Sequence, residues 1–454
     1  MKGLKDSLRE IGRYPSAIFG TIIILLLIAF SIYTMIKIPY KEAIYLWRGG
    51  EAVVYKNPRT APPLWYNWFT KEELPVSWDV NSTDDTEDII KTVTPRENGD
   101  TIDFSYSFDY EYDTFPQEMF IYIKSKYDSK NPFMVVTLTK PDGEEIKVAD
   151  LGVAHSFTFR FNQDEKLPGR LKRLHGREVR NAMEGLFGVV GSDPVVVDKG
   201  TYTLDVKITT FEKDNEVDIE LVQHGIVFGP FGTDHMRRDL TTAIMWGAPI
   251  ALAFGLTAAV GTSIVSMLIA AIGAWFGGWI DELIQRITEV NLVLPYLSIL
   301  IMVGTFYSKS IWVMLGLTIA LNIFTGAIKT DRAIFLQVKE STYIEAARAY
   351  GASDWRIITR YLVPRIIPML IPGLVSAVPA YVFLEASLAL LGLGDPNVPT
   401  WGKVIDNARA YGAQYQGLYY WILEPAVLLM ITGLGFAMLG FALDRIFNPR
   451  LRGM

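Results

Sequence analysis

Cysteine is absent from the 454 residues, which excludes disulfides and thiolate metal sites and leaves the redox compartment unmarked. Histidine is scarce. His155, His175, His224 and His235 stand in no metal-ligand spacing and read as surface or turn residues. No Gly-x4-Gly-Lys-Ser/Thr occurs: Gly402-Lys403 lacks both the upstream glycine and the following hydroxyl, so the chain is not expected to bind or hydrolyse ATP itself. "LGLGDP" at 391–396 has two glycines without a third and reads as a helix end and turn. What the chain does have is apolar sequence, 50% hydrophobic residues with a mean hydropathy of +0.22, so membrane spans are sought first. Its 22 Tyr and 11 Trp fit interface belts and a β core.

Charge divides the chain. Residues 38–240 carry 24 Lys+Arg against 35 Asp+Glu, net −11, and the remainder 19 against 14, net +5. The N-terminal "MKGLKDSLREIGRY" places Lys2, Lys5, Arg9 and Arg13 ahead of "SAIFGTIIILLLIAFSIYTMI", an uncharged run as long as one hydrocarbon core. A cleaved signal peptide shares such a basic start. The longer run, without a small-x-small exit, favours an anchor with its N-terminus inside. The predicted organisation is a cytoplasmic tail at 1–15, a first span at 16–37, an acidic domain at 38–240, a helical core at 241–446, and a cytoplasmic tail at 447–454.

In the acidic domain, "TIDFSYSFDYEYD", "PFMVVTLTKPDGEEIKV", "HSFTFRF" and "TYTLDVKITTF" alternate apolar and polar residues between Pro-Asp-Gly and Asp-Lys-Gly turns, the signature of a β-sandwich. With the first span running outward, this β-rich domain is extracytoplasmic. Asn81-Ser82-Thr83 is a glycosylation sequon within it.

From Leu240 to Ile280 no charge occurs, and Trp246-Gly247-Ala248-Pro249 offers a place to split the run into an interfacial piece and a crossing. Ala251/Gly255, Ser266/Ala270 and Gly273/Gly277 permit close helix packing. The runs Val290–Ser308, Ser310–Ile328, Ile366–Gly394 (broken by Glu385) and Pro425–Leu443 bring the expected number of transmembrane helices to six. Six crossings return the C-terminus to the cytoplasm, where the tail is basic. They also place the 330–365 loop inside, and Lys329–Arg365 holds seven Lys/Arg against four Asp/Glu.

In that loop, Tyr343, Ala346, Ala347 and Tyr350 fall on one apolar stripe, with Glu345 and Arg348 paired opposite. Gly351 is a helix stop, Ser353-Asp354 an N-cap and acidic first turn. In a second helix Trp355, Ile358, Thr359 and Leu362 share a face, with Arg356 and Arg360 on the wet side. Geometry alone is that of an amphipathic hairpin at a membrane surface. The order Glu-Ala-Ala, three residues, Gly, ten residues, a hydrophobic pair and Pro resembles the EAA motif of bacterial and archaeal ABC importer permeases. "GPFGTDHMRRDL", "FGGWIDELIQRITEVNLVLPYL" and "EASLALLGLGDPNVPTWGKVIDNAR" are similar to the C-type subunit of the dipeptide/oligopeptide importers. Two departures stand out: Arg237 occupies a position where that family has Gly, and the 38–240 segment replaces a short loop.

The resemblance implies a transport subunit that is not itself an enzyme and has no cofactor of its own, ATP and Mg residing in partner subunits. Those partners would be a homologous second permease, two cytoplasmic ATP-binding subunits and an extracellular substrate-binding protein, in a lipid bilayer and without nucleic acid. It implies ATPase-coupling roles for Glu345, Ala346, Ala347 and Gly351; charge adds Arg348, Asp354 and Arg356. Peptides are the implied substrate, with oligosaccharides the alternative.

Glu289 and Glu385 are ionisable groups at membrane depth and so candidates for the pathway or for helix packing. Pro368, Pro372 and Pro379 suggest bends near Glu385. A membrane-anchored extracellular receptor would need only one span, and a secondary transporter would show an inverted repeat, which this sequence does not.

Overall fold

The computed structural model describes residues 14–83, 89–213 and 215–447; the tail expectations at 1–13 and 448–454, with Lys2, Lys5, Arg9 and Arg13, lie outside them. The chain forms two units, Gly49–Thr241 and Met1–Arg48 with Thr242–Met454. Residues 38–48, which the sequence assigns to the acidic domain, thus go with the helical unit, where Tyr40–Arg48 is a short amphipathic helix.

In the first unit, two antiparallel sheets share one core. The four-stranded sheet has the order β1 (Trp78–Asn81), β9 (Val217–His224), β4 (Glu118–Ser125), β7 (Ser156–Arg160). The five-stranded one runs β2 (Ile89–Arg96), β3 (Gly99–Tyr110), β8 (Gly200–Thr209), β5 (Phe133–Thr139), β6 (Glu145–Gly152). The period-two runs explain this pairing. Met134, Val136 and Leu138 stand opposite Ile208, Val206 and Leu204, while Ile121 and Ile123 stand opposite Leu221 and Ile219 in the other sheet. Each such side chain, buried on the inner face, contributes roughly 1.5–3 kcal/mol of transfer free energy. Lys140 is buried as well, and its ammonium is satisfied by Gly188 O at 2.9 Å and Asp198 at 3.0 Å.

Arg237, the departure from the family pattern, has φ +64, a left-handed conformation that favours glycine. Its turn is built by Asp234, whose Oδ1 accepts from the backbone N–H groups of Met236 and Arg238. The guanidinium lies 5.6 Å over the Phe120 ring, donates to Glu118 Oε2 at 2.9 Å, and meets His224 Nδ1 at 2.8 Å. The cost of the backbone conformation, about 1–2 kcal/mol, is offset by an ion pair that joins this turn to β4 and β9.

In the helical unit, four helices among the described residues are long and apolar enough to cross a membrane: Pro15–Lys37, Leu240–Phe276, Asp354–Leu393 and Tyr420–Ile446. Two bent pairs, Gly278–Val293 with Tyr296–Phe306 (76°) and Ile311–Ile323 with Gly326–Lys339 (47°), raise the number to six if each pair is one span.

Leu240–Phe276 corrects the expected split: it is one 37-residue helix with Pro249 inside. Proline leaves the carbonyl four residues earlier without its intrahelical donor. That carbonyl, Met245 O, faces the Thr34 hydroxyl at 3.4 Å, and the adjacent Ile244 O accepts from Trp401 Nε1 at 2.9 Å. Nor are the runs Val290–Ser308 and Ser310–Ile328 straight spans. The first breaks at Leu294-Pro295, where the residue before proline is extended (ψ 134), and the second at Phe324-Thr325. Asn291 spans the two breaks, its Nδ2 donating to Leu321 O at 2.8 Å and Phe324 O at 2.7 Å. Gly255 is a true packing glycine, since a Cβ there would sit 2.6 Å from Val382 Cγ2; Gly277, at φ +66 with open space around it, ends its helix instead.

His224 and Arg237 hold the Glu118 carboxyl below its ordinary value, so their contribution to stability is complete above the unfolded pKa, about 4.3, and is lost as pH falls through the folded value. Arg237→Gly relieves the backbone but removes the ion pair from a half-buried carboxylate, for an expected net loss of about 1 kcal/mol. Hydrogen exchange of β4 and β9 in the detergent-solubilised full chain at pH 7 and pH 4 measures this. The wild type should lose more protection between the two than the variant, and an equal change in both would refute the assignment.

Candidate functional site

The hairpin between the helices Gly326–Lys339 and Val363–Leu388 begins with the helix Thr342–Ala349. Its end is a Schellman motif: Gly351 N–H donates to Arg348 O at 2.9 Å and Ala352 N–H to Ala347 O at 3.0 Å, with Gly351 at φ +76. Ser353 occupies the next N-cap with extended backbone but without a side-chain capping bond. Asp354–Ile357 then winds through a π-helical turn, Ile358–Leu362, just ahead of Pro364, which has no N–H to give.

The inward face differs from the expected one. Ile344 and Ala347 of the first helix are buried, as are Ile357, Ile358, Leu362 and Ile366 of the second, against Ala270, Ala271, Ala274, Ile328 and Phe335. Tyr343, Ala346 and Tyr350 point outward, Tyr350 being 92% exposed; Trp355 is 60% exposed and Thr359 is also exposed. The expected stripe exists, but only Ala347 of it faces the protein. Glu345, Gly351 and Arg356 are exposed too, so the hairpin presents small and aromatic side chains beside charge on an outward surface, where Trp355 also meets the ring edge of Phe276.

Nor do Glu345 and Arg348 pair. The Arg348 guanidinium lies 4.4 Å from the centroid of Trp275, at the end of the 37-residue helix, and Glu345 has no ion-pair partner among the described residues. Trp275, 6% exposed, is a node that the sequence reading passed over. Its Nε1 donates to Asp354 Oδ1 at 3.0 Å. Lys339 donates to the carbonyls of Ala274 and Trp275 at 2.9 and 2.8 Å, closing a helix end where carbonyls lack intrahelical donors. One indole thus holds both arms of the hairpin, Arg348 by a cation–π contact and Asp354 by a charge-assisted hydrogen bond.

The other two candidates separate. Glu289 is paired with Arg286 at 3.3 Å and Lys329 at 3.8 Å, bridging two helices. Glu385 is buried where Val363–Leu388 packs on Trp401–Tyr411, near Thr400 and next to a contact so tight that a Cβ on Gly402 would lie 2.6 Å from Ala386 Cα.

Residues 263–453 match the family described as binding-protein-dependent transport system inner membrane component. The chain is similar to the dipeptide transport system permease protein DppC of Bacillus subtilis, 30% identical over 225 residues, covering 49% of this chain and 69% of the relative. It is similar to the glutathione transport system permease protein GsiD of Escherichia coli, 29% identical with 54% and 80% covered. The peptidoglycan transport system permease protein YejE of Agrobacterium fabrum is 30% identical, with 48% and 56% covered.

Trp275→Ala removes the ring and its N–H together, a loss of about 3–5 kcal/mol; Trp275→Phe keeps an aromatic face and loses only the bond to Asp354, about 1.5–3 kcal/mol. Amide exchange across 342–362 in the full chain is expected to accelerate more than about 100-fold in the first variant and about 10- to 100-fold in the second. Unchanged exchange in both would dismiss the node.

Proposed function

Because the chain belongs to the family of binding-protein-dependent transport system inner membrane components, it is a permease subunit of an ABC importer, and we propose that it imports peptides and receives its ATP-driven motion through the 342–362 hairpin. One observation carries the proposal: the hairpin leaves small side chains exposed on its outward side while both of its arms are fixed to Trp275. A cytoplasmic ATPase docks on Glu345, Ala346 and Gly351, with Arg356 at the rim. Ala347 on the buried side, with the exposed Arg348 and Asp354 that contact Trp275, passes displacement to the helix Leu240–Phe276. ATP and Mg bind in two such ATPase subunits. A homologous second permease completes the pathway, and an extracellular binding protein delivers the substrate. ATPase closure then turns an outward-facing cavity inward.

In this reading the chain crosses six times, each bent pair counted as one, with both termini in the cytoplasm and Gly49–Thr241 outside. The basic loop and tails against the acidic β-unit support this orientation. The β-unit is the docking platform of the binding protein. Dipeptide, glutathione and peptidoglycan transport in the names of the relatives supports a short peptide or peptide-bearing cargo.

Gly351→Pro removes the N–H to Arg348 O and cannot adopt φ +76, a change worth about 3 kcal/mol or more at this turn; Glu345→Lys reverses charge on the docking face. Each should abolish uptake by the reconstituted complex and leave ATP hydrolysis uncoupled from it, at normal expression. Normal uptake by both would sink the coupling role. Replacing Gly49–Thr241 with a short linker should raise the apparent KM for substrate delivered by the binding protein, and unchanged kinetics would remove the docking platform.

A further inference from the structure

A cleft of about 310 Å³ opens inside the helical unit, between Leu240–Phe276, the break at Phe324-Thr325 and Val363–Leu388. Its walls are polar for a site within apolar helices: Thr262, Ser266, Asn322, Asp331 and Tyr381 line it, and Gly373 leaves it room. Some of these groups are already committed. Tyr381 donates to Thr262 Oγ1 at 3.1 Å, Thr262 donates to Ala258 O at 2.7 Å, and Asn322 Nδ2 donates to Thr318 O at 2.8 Å. Ser266 Oγ is buried with no hydrogen-bond partner in the protein.

Among the described residues, Asp331 is the one charged side chain lining this cleft. The cations beside it in sequence are engaged elsewhere: Lys329 pairs with Glu289 at 3.8 Å, and Arg332 Nε donates to Asp281 at 2.6 Å. A partly buried carboxylate without a cation is unfavourable, and a ligand that brings one recovers that energy. Among the described residues no group of three His, Asp or Glu could hold a metal ion, and the other oxygens here are neutral hydroxyls and an amide. One carboxylate with neutral oxygen acceptors matches a primary ammonium, a compact cation with three donors, better than a divalent ion or an anion.

We propose that this cleft is a way-station for the amino terminus of the transported peptide, with Asp331 as the residue that selects a free α-ammonium. The proposal rests on the peptide-importer reading and extends it to a residue outside the hairpin.

The test uses the complete importer, with partner permease, ATPases and binding protein, in proteoliposomes. A short peptide with a free amino terminus and its N-acetylated form are presented in the presence of a water-soluble carbodiimide, which joins an activated carboxylate to a nearby amine. Peptide mapping should find the free peptide coupled to Asp331 and the acetylated one not. Without the reagent, Asp331→Asn should lower uptake of the free peptide about tenfold, with Asp331→Glu restoring most of it. No adduct at Asp331, or wild-type uptake in the Asn variant, overturns the proposal while leaving the permease assignment intact. An adduct at Asp331 in a complex that shows no ATP-dependent peptide uptake would instead remove the peptide-importer reading and keep the ammonium site.

Discussion

Hydrocarbon offers a backbone carbonyl nothing to bond with, and the helical unit is arranged around that deficit. Pro249 sits inside a 37-residue helix, and the carbonyls one turn ahead of it meet Thr34 and Trp401 from other helices. The breaks at Leu294-Pro295 and Phe324-Thr325 are tied through Asn291, which takes two exposed carbonyls with one amide. At the end of the long helix, Lys339 closes the carbonyls of Ala274 and Trp275. Each repair brings in a side chain from a distant element, so satisfying the backbone and fixing the tertiary arrangement are one event. The hairpin is attached where the last repair is made, which gives it a rigid helix to act upon.

The β-unit solves a different problem, because charge there is solvated and stability comes from paired inner faces of two sheets. Arg237 shows what such a unit asks of its connecting chain. A glycine would have relaxed the turn at φ +64, yet the guanidinium reaches Glu118 and His224 on two adjacent strands. Strands within reach of the side chain are what allow Arg to stand at a turn whose backbone favours glycine.

Much of this was legible in the sequence. Alternation such as that in β8 specifies a strand with one buried face, and Gly351 before Ser-Asp specifies a helix end and a restart. Two kinds of feature escaped. Continuity through Pro249 depends on donors from residues 34 and 401, which no local window contains. The Trp275 node escaped for the same reason: an aromatic residue at the end of an apolar run looks like an interface belt until Arg348 and Asp354, more than 70 positions away, fold back onto it.

The hairpin's faces were misassigned for a more informative reason. Periodicity identifies an apolar stripe but not what it packs against, and a helix held between two proteins has two such stripes. Here Ile344 and Ala347 face the chain's own core while Tyr343, Ala346 and Tyr350 face away. The adjacent alanines therefore do opposite things, one thinning the helix toward the core and the other thinning it on its exposed side. A helix with small residues on both sides keeps an outside surface close to Trp275, with few flexible side chains between them to absorb a displacement. For an element proposed to transmit closure, thinness on both faces is the mechanical requirement, and consecutive alanines are the shortest sequence that meets it.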